Sequence, residues 1–386
     1  MKRFVAILAV SLAGALPAVS QSLEDLNIQI HGYATQGFLY TTNNNIFTTN
    51  SSNGSPAWTE AVVNVGAQPI PKLRVGVQAR YFLLGNEGND ITLDWAAADY
   101  KVNDKFGVRF GKVKTPSGLF NEIQDIDPSY MWSLLPQGNY LLVSRNSQLA
   151  HYGGVVYGTL NLGHSAGKLE YRGFGGERVV SPTDGYFINY IERGTTFGNG
   201  EHSAIYGGAL HWKTPLPGLM IGASNIRNGP TSTPAFTAAA PSGYTLAWLS
   251  YNQSSYFARY EKNRLMVAGE YGKGPFEVVV AINGVVRNTL RFDQREWYGM
   301  ASYKVTDKFT FGLYQSQTVN HQAVLGPARY QKDWALSGRY DLGQYIYIKA
   351  EEHLLDGTLL NYDLTLNPNG AKTTSKLTIL KVGVSF

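Results

Sequence analysis

The sequence predicts an all-β fold: a transmembrane antiparallel β-barrel of about 16 strands with one long, inward-folded loop. First, apolar residues alternate with polar ones at a period of two, as at Leu73, Val75 and Val77, which is typical of strands with two different faces. Second, short and long connections alternate along the chain. Third, after the N-terminal 20 residues no apolar run approaches the roughly 20 residues that a spanning helix needs.

The connections between the predicted strands fall into two classes by length. Seven are short and rich in Pro, Gly, Asn and Asp, which favour tight turns, and eight are mostly longer. The short ones span 69–72, 102–105, 162–167, 214–218, 261–263, 305–308 and 341–344. The longer ones span 43–57, 85–89, 115–151, 177–202, 228–242, 273–294, 319–330 and 354–374. Fifteen connections join sixteen strands, and outer-membrane barrels separate short turns from long loops in this way.

The N-terminus predicts a secretory signal peptide over 1–20. Its basic start at Lys2 and Arg3 is followed by an apolar stretch and a small-residue cleavage site, as in exported proteins. One barrel is then expected over 21–386. Only 21–27 precede the first predicted strand, so we expect no separate plug domain of the kind found in energy-coupled barrel transporters.

Composition narrows the classes of function. The 386 residues contain no cysteine, so the exported chain must depend on packing or on a regular hydrogen-bonded sheet rather than on disulfides. Without Lys2 and Arg3, 31 basic residues face 28 acidic ones, a balance too even to indicate nucleic acid binding. The seven histidines are scattered, with no His–Ser pair in the arrangement that an esterase requires and no His spacing that indicates a metal site. We therefore expect no enzyme, metal or cofactor.

Two further features concern the outward face and the C-terminus. Four tryptophans fall on positions predicted to face outward, where aromatic girdles meet the membrane interfaces. They are Trp95, Trp212, Trp297 and Trp334. The chain ends in LTILKVGVSF, with Phe386 last and apolar residues at every second position. This ending resembles the signal that outer-membrane proteins present to the barrel assembly machinery.

The longest connection, 115–151, is predicted to be functional. Loops beyond about 12–15 residues are uncommon in compact domains unless they are functional or disordered. This loop has apolar side chains to bury, among them Phe120, Ile123, Tyr130 and Trp132. It also carries the charged residues Glu122, Asp125, Asp127 and Arg145. A partly apolar loop with charges suits the water-filled interior of a large barrel.

The residues FGKVKTPSGLFNE at 110–122, followed by LLPQG at 134–138, resemble the third-loop region of Gram-negative porins. The resemblance is closest to the branch that includes the phosphate- and pyrophosphate-selective porins O and P. It implies a sixteen-stranded, often trimeric barrel, surrounded by outer-membrane lipid and lipopolysaccharide, whose third loop narrows the pore. The loop has three acidic residues and no dense cluster of Arg and Lys, which favours a general porin over a phosphate-specific one.

The predicted constriction lies where this loop faces basic residues of nearby strands across water. It comprises Arg74, Arg80, Arg109, Glu122, Asp125, Asp127 and Arg145. Further inward-facing candidates are Lys168, Arg172, Arg259, Arg339, Lys349 and Lys381, with acidic Asp94, Glu170, Glu270 and Glu351. Charges at a narrow pore select solutes by charge, so the excess of Arg and Lys predicts a slight anion preference. The alternatives are a porin selective for phosphate or carboxylates and a non-conducting barrel adhesin.

Overall fold

The structure is a computed structural model that describes residues 26–191, 193–360, 362 and 365–386. The predicted signal peptide lies outside the described residues. Nineteen strands form one continuous sheet within them. In chain order, β1 to β19 are Gln29–Thr41, Ser55–Ile70, Leu73–Leu84, Glu87–Asn103, Phe106–Lys114, Ala150–Asn161, Lys168–Val180, Thr196–Phe197, Glu201–Lys213, Leu219–Asn228, Thr231–Thr237, Ala240–Trp248, Tyr251–Lys262, Leu265–Ile282, Val285–Lys304, Phe309–Asn320, Tyr330–Asp341, Ile346–Gly357 and Thr374–Ser385.

Sixteen of these strands form a closed antiparallel ring. Strands β8, β11 and β12 are the three that belong to the longer connections instead. The ring closes where β1 pairs with β19, in register from Tyr33 opposite Ser385 to Thr41 opposite Leu377. Phe386 extends this seam, because its backbone N–H and C=O each form a 3.0 Å hydrogen bond with Gly32. The predicted antiparallel barrel of about 16 strands is confirmed.

The alternation in the sequence gives the ring two chemically different faces. In β19, Leu380 and Val382 are exposed, whereas Ile379 and Lys381, which alternate with them, are buried. Exposed apolar side chains on the outward face recur around the ring, and Trp212, Trp297 and Trp334 are among them. The inward face carries the charged and amide side chains. This is the opposite of a soluble sandwich, whose core is apolar and whose surface is polar.

Trp95 departs from the predicted outward position. The pairing of β3 with β4 shifts between Gln78, opposite Trp95, and Ala79, opposite Leu93. The extra residue at this β-bulge reverses the facing of the residues that follow it. The Trp95 ring therefore covers Gly76 and lies 5.6 Å from Lys114 Nζ, on the inward side.

The connection predicted at 273–294 is also different, because the strands continue through it. Strands β14 and β15 stay paired up to Ile282 opposite Val285. Asn283 and Gly284 make the turn, with φ of 49° and 75°, as the two positive-φ positions of a type I′ hairpin require. The Asn-Gly pair between β-branched residues is a sequence signal for this hairpin.

Within the described residues, the remaining long connections contain strands β8, β11 and β12 and short helical elements. Two helices of one turn each are α1 (Arg145–Gln148) and α2 (Ile188–Ile191). The 3₁₀ turns are Ser51–Asn53, Asp127–Ser129, Leu142–Ser144, Gly185–Phe187 and Pro327–Arg329. No described helix is both long and apolar enough to cross a membrane.

Candidate functional site

The segment 115–149, between β5 and β6, packs its apolar side chains on inward-facing residues of the ring. The Phe120 ring lies edge-on to Tyr140 at 5.7 Å and 6.4 Å from Tyr298 of β15. The Trp132 ring lies 5.2 Å from Tyr314 of β16. Aromatic pairs at such distances add about 0.5–1.5 kcal/mol to the burial of their area. The segment is thus attached to strands far from its own two ends.

Asp127 attaches the segment to the seam side of the ring. Its carboxylate lies 2.9 Å from Lys349 Nζ and 2.7 Å from Lys381 Nζ, and Tyr347 donates a hydrogen bond to it at 2.7 Å. All of these side chains are buried. Burial alone would raise the pKa of Asp127, but the two ammonium groups hold it below its ordinary value. The carboxylate is therefore ionised at neutral pH.

A second attachment uses the backbone of the segment. Glu351 accepts hydrogen bonds from the N–H groups of Ser133 at 2.5 Å and Leu134 at 3.1 Å. His353 lies between Glu351 and Asp333, 3.2 Å and 3.0 Å from their carboxylates. His353 therefore helps to position Glu351, which binds the backbone of the segment 115–149. No group of three His, Asp or Glu side chains in the described ranges is arranged to bind a metal ion.

Four of the predicted constriction residues lie buried in direct contacts rather than facing water. Arg80 is 1% exposed, and its Nε lies 2.6 Å from Glu60. Arg145 forms two hydrogen bonds with Asp94, at 2.8 and 3.1 Å. Burial lowers the pKa of Arg145, but the carboxylates of Asp94 and Glu60 raise it above its ordinary value. The other two of the four are Asp127, described above, and Asp125, which lies 2.7 Å from Lys114.

The other three predicted constriction residues lie together at an open cavity of about 590 Å³. Glu122 bridges Arg109 of β5, at 3.5 Å, and Arg172 of β7, at 3.2 Å. Arg109 also binds Asp99 at 2.8 Å. Arg74 is exposed at the same cavity and has no ion-pair partner in the described part of the chain. Among the described residues, this is the one place where a predicted pair of loop acid and wall arginine lies at an open cavity.

The predicted pore-lining residues outside this group differ in their surroundings. Arg339 donates to the backbone oxygens of Pro128 and Tyr130, at 2.6 and 3.0 Å, and so also holds the segment. Arg259 pairs with Glu261, and Glu170 pairs with Lys213 and Arg172. Lys168 is exposed and has no salt bridge to any described residue. Most predicted lumen cations thus have an acidic partner.

Sequence reasoning missed a second cavity of about 150 Å³ on the other edge of the segment. Its wall is formed by β7, β9, β10 and β13 to β15, and its charged residues include Arg178, Glu270 and Glu296. Arg178 and Glu296 lie at the ends of predicted strands, inside or beside the intervals assigned to loops. The period-two pattern could have located Arg178, because it continues the face of Arg172.

The comparisons with known proteins concern the fold. No protein-family model matches the chain, and no curated protein matches it in sequence. The anion-selective porin from Comamonas acidovorans is 10% identical with a TM-score of 0.57, over 93% of this chain and 99% of that one. The outer membrane channel DcaP of Acinetobacter baumannii is 11% identical with a TM-score of 0.53, over 96% and 100%. In-vitro folded OmpT of Vibrio cholerae, in a trimer form, is 13% identical with a TM-score of 0.53, over 93% and 99%. These similarities show that the chain shares the barrel fold of outer-membrane proteins.

Proposed function

We propose that the protein is a porin of the bacterial outer membrane, a water-filled channel for passive diffusion of small hydrophilic solutes. The observation that carries this proposal is the closed sixteen-stranded ring with an apolar outward face and a charged inward face. A closed barrel satisfies every backbone group of the strands in lipid, and barrels of 16–18 strands leave an aqueous channel. The fold shared with a porin and an outer-membrane channel supports transport rather than catalysis.

We infer that the segment 115–149 lies inside the barrel and narrows its pore. Asp127 contacts inward-facing residues of β18 and β19, and Tyr140 contacts Glu270 of β14. A segment that reaches both sides of the ring through inward-facing side chains must cross the lumen. The two cavities on its edges then mark the spaces left for solutes.

We propose that charge selection at the larger cavity comes from Arg74, Arg109 and Glu122. Asp125, Asp127 and Arg145 hold the segment in place through ion pairs with wall residues, and Arg80 holds it through a hydrogen bond to Asn146. A slight anion preference is expected from Arg74 and Lys168, which form no salt bridge with a described acid. The structural similarity to an anion-selective porin supports a carboxylate- or phosphate-selective channel as the second candidate; the phosphate branch stays a prediction from the loop motif.

Replacing Arg74 with Gln is expected to lower the anion-to-cation permeability ratio, because it removes an unpaired charge at the cavity. The effect should be larger at low salt, since 0.1 M salt screens charges over about 10 Å. Reversal potentials across a planar bilayer under a salt gradient measure the ratio. Lys308→Gln, in an exposed turn, is the matched control and should leave the ratio unchanged. Equal ratios for the wild type and Arg74→Gln would contradict this assignment.

We further propose a homotrimer surrounded by lipid and lipopolysaccharide and inserted by the barrel assembly machinery. The trimer form of the Vibrio cholerae protein with the same fold supports the assembly state. The exposed C-terminal Phe386 supports recognition by the assembly machinery. Light scattering of the detergent-solubilised protein should give three times the mass of one chain, and a monomer mass would contradict the trimer.

A further inference from the structure

We propose that the 150 Å³ cavity is a binding site for a small, neutral, polyhydroxylated solute. This inference rests on the proposed function, because the cavity lies beside the segment that crosses the lumen. It names a solute class that neither the charge balance nor the loop motif indicates. The argument depends on the chemistry of the lining, on three acceptor atoms without donors, and on the size of the space.

The lining is dominated by side chains that are neutral and hydrogen-bonding. Seven amide side chains contribute to it: Asn121, Gln137, Asn139, Gln148, Asn228, Gln253 and Gln294. Each amide offers both donors and an acceptor, as each hydroxyl of a polyol does. Ile205 and Ile226 provide apolar surface beside them, which suits the C–H groups of the same solute.

The charged residues that line this cavity are Arg178, Glu270, Lys273 and Glu296. Glu270 already accepts hydrogen bonds from Tyr140 at 2.5 Å, from Tyr298 at 3.0 Å and from the Leu119 N–H at 3.2 Å. Arg178 lies 3.5 Å from Glu201, so its charge is matched within the wall. An anion entering the cavity would meet the carboxyl groups of Glu270 and Glu296, whereas a neutral hydroxyl group can donate to them. Ethanolammonium as a probe distinguishes a neutral solute from a cation.

Three buried oxygen atoms of lining residues have no donor among the described residues: Asn139 Oδ1, Asn228 Oδ1 and Glu296 Oε2. Asn228 is 1% exposed, and its amide nitrogen donates to Gln253 at 3.3 Å, so only its oxygen is left. A buried acceptor without a donor is unfavourable. Hydroxyl groups of a solute would supply the missing donors without bringing a charge into the cavity.

The size of the space limits the solute. An apolar cavity of about 150 Å³ in another protein binds benzene, and glycerol has the same number of non-hydrogen atoms as benzene. Short polyols such as glycerol and erythritol therefore match the cavity. Longer polyols would place only part of their length in it.

The test is single-channel recording in a planar bilayer with erythritol added to both sides, corrected for the conductivity of the bulk solution. Wild-type conductance should fall to a plateau with rising erythritol. Gln253→Leu should raise the half-saturating concentration about three- to tenfold, the effect of one lost hydrogen bond. Gln317→Leu, on the outward face of β16, is the matched control and should behave as the wild type. Ethanolammonium and phosphate, at the same ionic strength, should give no plateau.

A linear response to erythritol, or a plateau with ethanolammonium or phosphate instead, would overturn the proposal. Calorimetric titration of the detergent-solubilised trimer or monomer with erythritol measures the site without conduction. Saturable heat without any conductance would support the binding site and refute the porin function. Conductance without saturable heat or a plateau would support the porin function and refute the binding site.

Discussion

Replacing Asp127 with Asn is expected to release the segment 115–149 from the wall and to increase single-channel conductance. The change leaves two buried ammonium groups, those of Lys349 and Lys381, without their counter-ion. Breaking a buried ion pair on one side costs about 3–5 kcal/mol. That energy shifts the ratio of docked to released segment by about 100-fold or more. Conductance in planar bilayers and proteolysis of the segment in the folded barrel measure the release.

The control for this prediction is Asp104→Asn. Asp104 also pairs with a lysine, Lys101 at 2.7 Å, but both side chains are exposed in a turn. Exposed pairs contribute at most about 1 kcal/mol, so Asp104→Asn should keep the wild-type conductance. A segment that stays resistant to protease in Asp127→Asn, with unchanged conductance, would show that Asp127 does not hold it.

Replacing Phe386 with Asp is expected to abolish the assembled barrel while leaving export intact. Phe386 ends the strand that closes the ring, and its backbone exchanges two hydrogen bonds with Gly32. A Cβ atom at residue 32 would lie 2.8 Å from the Phe386 ring. Because Gly32 has no side chain, there is room for this ring. A charge here would lie on the outward apolar face at the seam, and an unclosed edge cannot remain in lipid.

The measurement for Phe386→Asp is the mobility shift between unboiled and boiled samples on denaturing gels, which reports a folded barrel. Phe386→Trp keeps a large aromatic side chain and should restore the shift. Gly32→Val should also impair it, because its side chain would meet the backbone oxygen of Val62 and the Phe386 ring. A normal shift for Phe386→Asp would refute the role given to this residue.

Period-two alternation was sufficient to predict the ring, because one face of every strand must be apolar and a register error would turn it inward. Leu377 to Val384 show this in a single strand. Alternation could not reveal the bulge at Trp95, where one additional residue reverses the facing. At 273–294 the Gly, Asn and charged residues predict a loop, although the paired strands continue through it.

The site was less predictable, because its contacts join residues far apart in sequence. Asp127 and Lys381 are 254 positions apart, and nothing in either neighbourhood specifies which acid binds which base. Arg80 has the same strand pattern as Arg74, yet it is buried and Arg74 is open to the cavity. Amide side chains carry no charge, so a search for charged residues does not find the seven around the smaller cavity.

The long hairpin of β14 and β15 makes this protein a candidate scaffold for cell-surface display. Its strands have 18 and 20 residues, whereas a strand crosses a bilayer with about 9–11. On the proposed topology, the part of β14 and β15 beyond the membrane lies outside the cell. There β14 also pairs with β12, from Trp248 to Thr245. Exposed loop tips accept insertions well, and the Asn283–Gly284 turn lies beyond the parts of β14 and β15 that carry Glu270 and Tyr298, which contact the segment 115–149. A foreign peptide spliced there would be presented on a stiff stalk with the channel unaltered.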